Sequence, residues 1–475
     1  MERAEAEAIL DGDRETALAL LMRVGELIEA NRRLEVRVAE LEQRLNRSSR
    51  NSSLPPSQDP PSAPPRLGKP GSGRSRGGQA GHEGKHRRLL PLERVDEVID
   101  HWPQRCHACA RAFGEAERID AASPQRQQVA ELPPIAVRVS EHRLHRARCP
   151  DCAAETRAKP PAEVPRSAFG PRLQAALTTL AIRNRVSRRD TVELAGEMFG
   201  CQLATGTIDA IVQRTGEALE QPHGRLAAQI RSAPAVNIDE TGWRTTGKRR
   251  TLWGALTERT ALFRIAPDRH QRAAKALLGE GYAGVACSDR WWAYDYLDPE
   301  RRQLCWAHLV RDFTAHSEGL AAQKQFGQAG LEIAGRLFAA WDAYRREGDR
   351  AHLLDQIEPL KHELKTLLER AARKSTKTKY HRLFAANLLK RWPALWTFTR
   401  VDGVEPTNNH AERGLRGAVI YRKLSLGSQS GNGERTTERL LSASITCRLQ
   451  GRSLFAYLTD VSTASIRGDP IPLLA

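Results

Sequence analysis

Two stretches decide the fold: AVNIDETGWR (235–244) and GVACSDRWWAY (284–294). Each starts as a short apolar run that reads as a buried strand, and each strand ends in a carboxylate, Asp239 in the first and Asp289 in the second. Between them, TLWGAL and TALFRIAP have strand composition and RAAKALL has helical spacing, which predicts an α/β core. Two acids at the ends of core strands are costly to bring together unless cations neutralise them. A third acid, Glu412, lies in PTNNHAERGLR (406–416), where Thr407 or Asn408 can cap a helix. On that helix Asn408, Asn409, Glu412, Arg413 and Arg416 fall largely along one side. Three carboxylates from two strands and a helix can hold two Mg²⁺ (or Mn²⁺) ions through oxygen, an arrangement suited to in-line displacement at phosphorus. Asn408, Asn409, Arg413 and Arg416 would support the phosphate or the local geometry. Glu240 is the rival for the first ligand position. If Val236 and Ile238 face the core, Asp239 points to the opposite side of the strand.

Outward from this core, the segment from Asp289 to Glu412 is longer than a compact connection needs, which implies an inserted domain. Its spacing is helical, with Ile333, Leu337, Trp341 and Tyr344 on one stripe and Leu360, Leu364 and Leu367 on another. Trp291 and Trp292 can stack on a displaced base or pack into the core. On the N-terminal side, Ser187 can cap a helix RRDTVELAGEMF that stops at Gly200, and a second helix can start at Thr205. This pair suggests a helix-turn-helix whose second helix aims Thr205, Thr207 and Arg214 toward a DNA groove.

Further upstream, Cys106-x-x-Cys109 and Cys149-x-x-Cys152 form two knuckles. Four thiolates on tight turns can close a tetrahedral shell around Zn²⁺, leaving no position for substrate, so the site would be structural. The segment IAVRVSEHRLHRAR leading into the second knuckle suggests a β-rich zinc ribbon. Earlier still, Leu20, Val24, Leu27, Asn31, Leu34, Val38, Leu41 and Leu45 alternate spacings of four and three, a coiled-coil seam in which a buried Asn31 favours two-stranded pairing. Between seam and ribbon the chain turns to Ser, Pro, Gly and basic residues, a linker suited to phosphate contacts without sequence information. Lys and Arg number 74 against 57 Asp and Glu, a net charge of +17 at pH 7, which points to a polyanionic partner. No apolar run suggests a membrane span, and MERAEAEAIL does not resemble a signal peptide, so a soluble, cytoplasmic chain is expected.

Taken together, IDETGW, SDRWWAY, CWAHLVRDF, NNHAERGLR and YRKLSLGSQSGNGER resemble the transposases of the insertion sequence 66 family, a DDE group with a ribonuclease-H-like catalytic core. NSSLPPSQDP, GGQAGHEGKH, the double knuckle and SLFAYLTDV match in the same order, so the resemblance covers most of the chain. It implies a DDE transposase with the triad Asp239, Asp289 and Glu412, and with His308 of a C-x-x-H motif near the scissile DNA. It implies as partners the terminal inverted repeats of an element, target DNA and small accessory proteins. The expected protein is bacterial and nucleoid-associated, a homodimer or higher through the coiled coil. Its expected architecture is multidomain α/β: 1–46 coiled coil, 47–91 basic linker, 92–160 zinc ribbon, 161–232 helical DNA-binding segment, 233–311 and 401–450 the two parts of the ribonuclease-H-like core, 312–400 a helical insertion and 451–475 a C-terminal segment.

Overall fold

The computed structural model describes residues 14–45, 89–119, 125–319, 321–375 and 379–474. The linker expected at 47–91 therefore lies outside the described residues except for its last three. Two compact units emerge, Pro64–Val139 with Met198–Gly200, and the rest of the chain. The first unit contains little regular structure among its described residues: two single-turn helices and an isolated bridge between Arg105 and Ala112.

The larger unit is mixed α/β. Its helix α1 (Arg14–Leu45) carries the heptad seam, and Val24, Leu27, Leu34 and Val38 are exposed on it. Strands β1 (Arg146–Arg148) and β2 (Glu155–Arg157) form a short antiparallel hairpin around the second knuckle. Of IAVRVSEHRLHRAR only these last three residues are strand, because its alternation buries no face: Ile135, Val137 and Val139 are exposed.

A five-stranded sheet forms the centre: β3 (Ala235–Thr245), β4 (Lys248–Leu256), β5 (Ala261–Ala266), β6 (Val285–Ser288) and β7 (Arg302–Leu304), in the order β5-β4-β3-β6-β7. The first three strands are antiparallel and the last two join β3 in parallel. Helix α6 (Gln271–Leu278) links the two halves. Contrary to the expectation from its apolar run, β3 does not end at Asp239. It runs to Thr245 because Trp243 and Thr245 return to the interior and the whole length pairs with β4.

Helices α2 (Pro171–Ile182), α3 (Arg188–Phe199), α4 (Thr205–Ala218) and α5 (Glu220–Ser232) precede the sheet. Ser187 caps α3 through the Asp190 N–H at 3.1 Å, Gly200 ends it at φ 62°, and α4 starts at Thr205, all as the sequence predicts. The segment 161–232 is nevertheless not a separate module. Leu177, Ile208, Ile211 and Val212 are buried, and α2 and α4 pack with α13 (Gly431–Leu449) and α14 (Leu454–Arg467) on the β5 side of the core. Helix α13 lies along β5 and presents Glu438, Ser442 and Thr446, each four residues from the next, to the N–H groups of Ile265, Phe263 and Ala261 at 2.6, 2.9 and 3.0 Å. A row of helix side chains thus satisfies the free edge of the sheet. Burial pushes the Glu438 carboxyl up to about 7.

On the other side stand α7 (Trp306–Ser317), α8 (Ala321–Glu347), α9 (Arg350–Ala372), α10 (Lys379–Lys390) and the single turn α11 (Thr397–Arg400). The predicted stripes meet here, with Ile333, Leu337, Leu360 and Leu364 buried in one cluster with Trp306, Phe313 and Trp396. Helix α12 (Asn409–Ser425) lies across β3 and β4 and stacks Tyr421 on Trp243. Among the described residues no helix is long and apolar enough to cross a membrane.

The turn after α12 ties it to the end of β3, because Ser428 N–H donates to the Arg244 carbonyl at 2.9 Å and receives Thr246 N–H on its own carbonyl at 3.0 Å. Gly427 sits in this turn at φ 104°, and an added Cβ would fall on the Arg244 carbonyl. Gly427→Ala is expected to lose ~1–3 kcal/mol from its backbone conformation alone, with the collision added to that. Gly403→Ala, at φ 76° with open space around it, should lose less. Denaturant midpoints of the two variants check the ranking.

Candidate active site

Strand β3 outruns its parallel neighbour. Their pairing ends with Asn237 opposite Cys287, and β6 stops at Ser288, while β3 continues paired with β4. At β3 the sheet also switches direction, one branch running out through β4 and the other through β6, and such a switch point leaves a crevice at the strand ends. Asp239 and the residue following β6, Asp289, lie at this crevice.

Asp239 is half-buried, and its Oδ1 accepts the Glu240 N–H at 2.9 Å. Burial pushes its carboxyl well above the usual range, and the charges of Glu240, Asp289 and Glu412 push it further. Two acids remote in sequence, Asp289 and Glu412, therefore share one electrostatic neighbourhood with Asp239. Alternation along β3 sends Glu240 to the opposite face, where Arg269 and the Tyr294 hydroxyl donate to its carboxylate. The Glu240 side chain is 1% exposed and already engaged on both oxygens, which separates it from Asp239. Burial and the charge of Asp289 raise its carboxyl, and Arg269 opposes that rise.

Asp289 accepts the Trp291 N–H on Oδ1 at 2.9 Å and lies 3.3 Å from Arg269 Nη2 through Oδ2. Arg269 thus bridges Glu240 and Asp289. Its guanidinium stacks over Trp291 at 4.3 Å from the ring centroid, and Trp291 Nε1 donates to the Arg269 carbonyl at 3.0 Å. Trp291 is accordingly a packing platform, whereas Trp292 is half exposed. Behind Asp289, the buried Arg302 donates to its carbonyl at 2.7 Å and pairs with Asp295 at 2.8 Å, and Asp295 also receives Arg391. Removing any member would leave an unmatched buried charge, so the network holds the backbone of Asp289 rigid.

Glu412 arrives on the first turn of α12. The starts of α7 and α12 are joined by two bonds, Trp306 N–H to the Pro406 carbonyl at 2.9 Å and Asn408 N–H to Cys305 Sγ at 3.1 Å. His308 belongs to the first turn of α7 rather than to a strand end. Its Nδ1 lies 3.7 Å from Glu412 Oε1, beyond hydrogen-bond reach, and has no hydrogen-bond partner among the described residues. Burial, then Arg311, holds this imidazole below its usual range, so it is neutral at pH 7. Arg311 Nη2 approaches Glu412 at 3.3 Å.

Of the expected DNA contacts, Asn408 is fully buried and donates to the Ile238 carbonyl at 2.7 Å. It fixes local geometry and cannot reach a phosphate. Asn409, Arg413 and Arg416 line the exposed side of α12, while on α4 Thr205 and Arg214 are exposed and Thr207 is half-buried.

Each cysteine knuckle, taken by itself, has the same backbone. Cys106 N–H donates to the Arg111 carbonyl and Ala110 N–H to the Cys106 carbonyl, while Cys149 N–H donates to Ala154 and Ala153 N–H to Cys149. Ala110 and Ala153 both sit at positive φ, 59° and 58°. The N–H groups of Cys109 and Ala108, and likewise of Cys152 and Asp151, lower the first thiol of each knuckle. Among the described residues, no group of three or more His, Cys, Asp or Glu side chains could hold a metal ion as they now stand. At the acid cluster, Arg269 meets Oδ2 of Asp289 and Arg311 meets Oε1 of Glu412. Sequence reading did not find Arg269, Tyr294, Arg302 or Arg311. Tyr294 and Arg311 lie within SDRWWAY and CWAHLVRDF, whereas Arg269 and Arg302 lie in no such motif.

Residues 166–436, more than half of the chain, match a family model described as Transposase IS66 family, and this interval includes all three acids and His308. Residues 3–88 match a Family of unknown function (DUF6444). Two proteins of Sinorhizobium fredii are similar to the chain. Uncharacterized protein y4qI is 26% identical over 209 residues, covering 40% of this chain and 37% of its own length. Uncharacterized protein y4hP is 23% identical over 423 residues, covering 81% of this chain and 74% of its own length.

Because Asp239 carries a raised carboxyl, the folded state holds its proton to higher pH than the unfolded chain does, and stability falls as pH rises from the usual Asp range through the folded value. In the presence of chelator, Asp239→Asn should therefore unfold at a higher temperature than the unmodified chain at pH 8, with the gap closing toward pH 4. Thermal melts across that interval check the sign.

Proposed function

The chain belongs to the IS66 family of transposases, and from that membership we propose that it is a DNA transposase that cleaves the ends of an insertion sequence and joins the freed 3′ hydroxyls to target DNA. The observation that supports this reading is that the charges of Asp289 and Glu412, both remote in sequence, reach the carboxyl of Asp239.

Hard divalent cations fit this donor set. The donors are carboxylate oxygens, the charges repel one another without a cation, and a neutral imidazole with an unpartnered Nδ1 stands beside Glu412. Asp239, Asp289 and Glu412 would hold Mg²⁺ or Mn²⁺, in the two-ion arrangement the family resemblance implies. Bound there, the ions would polarise the scissile phosphate and favour the attacking oxygen. The chain's own residues do the remaining work. Arg302 fixes the backbone of Asp289, Asn408 locks the start of α12 to β3, and Arg269 and Arg311 withdraw from the carboxylates toward the incoming phosphate oxygens. His308, held neutral, accepts a proton or hydrogen bond at Nδ1 near the leaving strand. Asn409, Arg413 and Arg416 contact the backbone of the DNA, and Thr205, Thr207 and Arg214 contribute from α4.

The sheet order with β3 at its centre supports a ribonuclease-H-like core. From the doubled C-x-x-C spacing in the sequence, Cys106, Cys109, Cys149 and Cys152 would hold a structural Zn²⁺. The exposed seam of α1 supports pairing of two or more copies, which would bring two element ends together. The protein would act on nucleoid DNA in the cytoplasm, with small accessory proteins assisting.

Incubating the full chain with duplexes bearing the element's terminal repeats and Mg²⁺ or Mn²⁺ tests the reading. Cleavage and joining to a target are expected. Asp289→Ala should lose activity by more than the ~10²-fold typical of changing a residue behind a metal ligand. Equal activity of Asp289→Ala would reject the acid assignment, and cutting without joining would reduce the activity to hydrolysis.

A further inference from the structure

Beside the acids lies a second cluster of charge, this one of arginines. Strands β3 and β4 are joined by Thr246 and Gly247, both at positive φ (48° and 77°), a tight turn that holds the hairpin twisted and rigid. The register sets Arg244 directly opposite Arg249 on one face. Like charges in that position destabilise a hairpin. Arg422 reaches over from α12 to donate to the Gly242 carbonyl, and burial together with Arg244 holds its guanidinium below the usual range. Among the described residues, none of Arg244, Arg249 and Arg422 has an ion-pair partner, while the nearby Arg250 is paired with Glu434 at 3.1 Å.

These arginines line one groove of ≈ 580 Å³, with Trp243 in its wall and the exposed Leu426 at its edge. The volume is that of a ligand site rather than of a single ion. The groove's one acidic lining residue, Asp268, is engaged by Arg272 and by the His270 N–H at 3.0 Å. The next residue in the chain is Arg269, which bridges Glu240 and Asp289, and Arg422 also lies 3.4 Å from Thr241, two positions beyond Asp239. The groove therefore opens at the end of the same strand that bears the acids. Gly242 makes room for it, since a Cβ there would stand 3.2 Å from Arg422 Nη1.

We infer that this groove binds the sugar-phosphate backbone of the DNA strand next to the reacting phosphate, through Arg244, Arg249 and Arg422, without reading base sequence. The inference rests on the transposase reading and adds a binding surface to it. Among the described residues, the three guanidinium groups meet only neutral oxygens, Gly242 and Thr241 for Arg422 and Gly247 for Arg244, and no carboxylate offsets their charge. A polyanion crossing the groove would neutralise all three, and guanidinium forks suit phosphate oxygens. An acidic protein segment is the competing occupant.

The test uses the full chain in chelator, where no cutting occurs, with a labelled random-sequence duplex titrated from low to moderate KCl. Each phosphate contact contributes ~0.9 to the slope of log K against log salt. Arg249→Ser and Arg244→Ser, at exposed positions, should each lower the slope by about that amount and weaken binding equally for unrelated sequences. Arg346→Ser, exposed on α8 and outside the groove, should leave the slope unchanged. An unchanged slope in both hairpin variants overturns the inference, as does an equal loss in Arg346→Ser, because net charge alone would then be responsible. If the hairpin variants lower the slope but the intact chain with Mg²⁺ neither cuts nor joins DNA, the groove stands and the transposase reading fails.

Discussion

Three carboxylates, Asp239, Asp289 and Glu412, share one partly buried electrostatic neighbourhood, with a fourth, Glu240, on the opposite face of β3, and most of the surrounding structure can be understood as the means of keeping them there. Repulsion and desolvation both oppose the arrangement. Arg269 spans two of the acids, Arg311 meets a third, and the buried Arg302–Asp295–Arg391 network grips the backbone from behind. The remaining acid, Asp239, accepts a neighbouring N–H, and burial raises its carboxyl well above the usual range. Such a site stores electrostatic strain that a cation would relieve, in keeping with the stability that functional sites commonly give up.

The sheet makes the crevice possible by a difference in strand length. Because β6 stops four residues after it starts while β3 runs for eleven, the central strand carries its acids past the point where a parallel neighbour could cover them. Helices α7 and α12 then close the gap, stapled at their starts by the Trp306 and Asn408 amides. The helical insertion supports this closure, since Trp306 at the head of α7 packs into the same core as α8 to α10.

Much of this was legible in the sequence because it leaves a local signature. The apolar runs of β4, β5 and β6, the Ser187 cap, the Gly200 stop and the start of α12 are each written within a few residues. The extension of β3 was not, because Gly242 and Arg244 interrupt any apolar alternation, and only pairing with β4 keeps the strand going. The guanidinium partners were hidden for a different reason: Arg269 and Arg311 meet acids far along the chain, and an ion pair leaves no periodic trace. Long-range polar contacts leave no such signature either: Glu438, Ser442 and Thr446 of α13 satisfy the edge of β5, and segment 161–232 and the C-terminal helix pack on that side of the core.

The central claim is that acids from β3, the end of β6 and α12 share bound divalent ions. Iron-directed cleavage of the polypeptide tests it most directly: Fe²⁺ replaces Mg²⁺ on the full chain, ascorbate and peroxide generate hydroxyl radicals at the ion, and the fragments are mapped by mass spectrometry. The account predicts cuts clustered near Asp239, Asp289 and Glu412 together, suppressed by excess Mg²⁺. Cuts near only one of these positions, or a pattern unaffected by Mg²⁺, would contradict it.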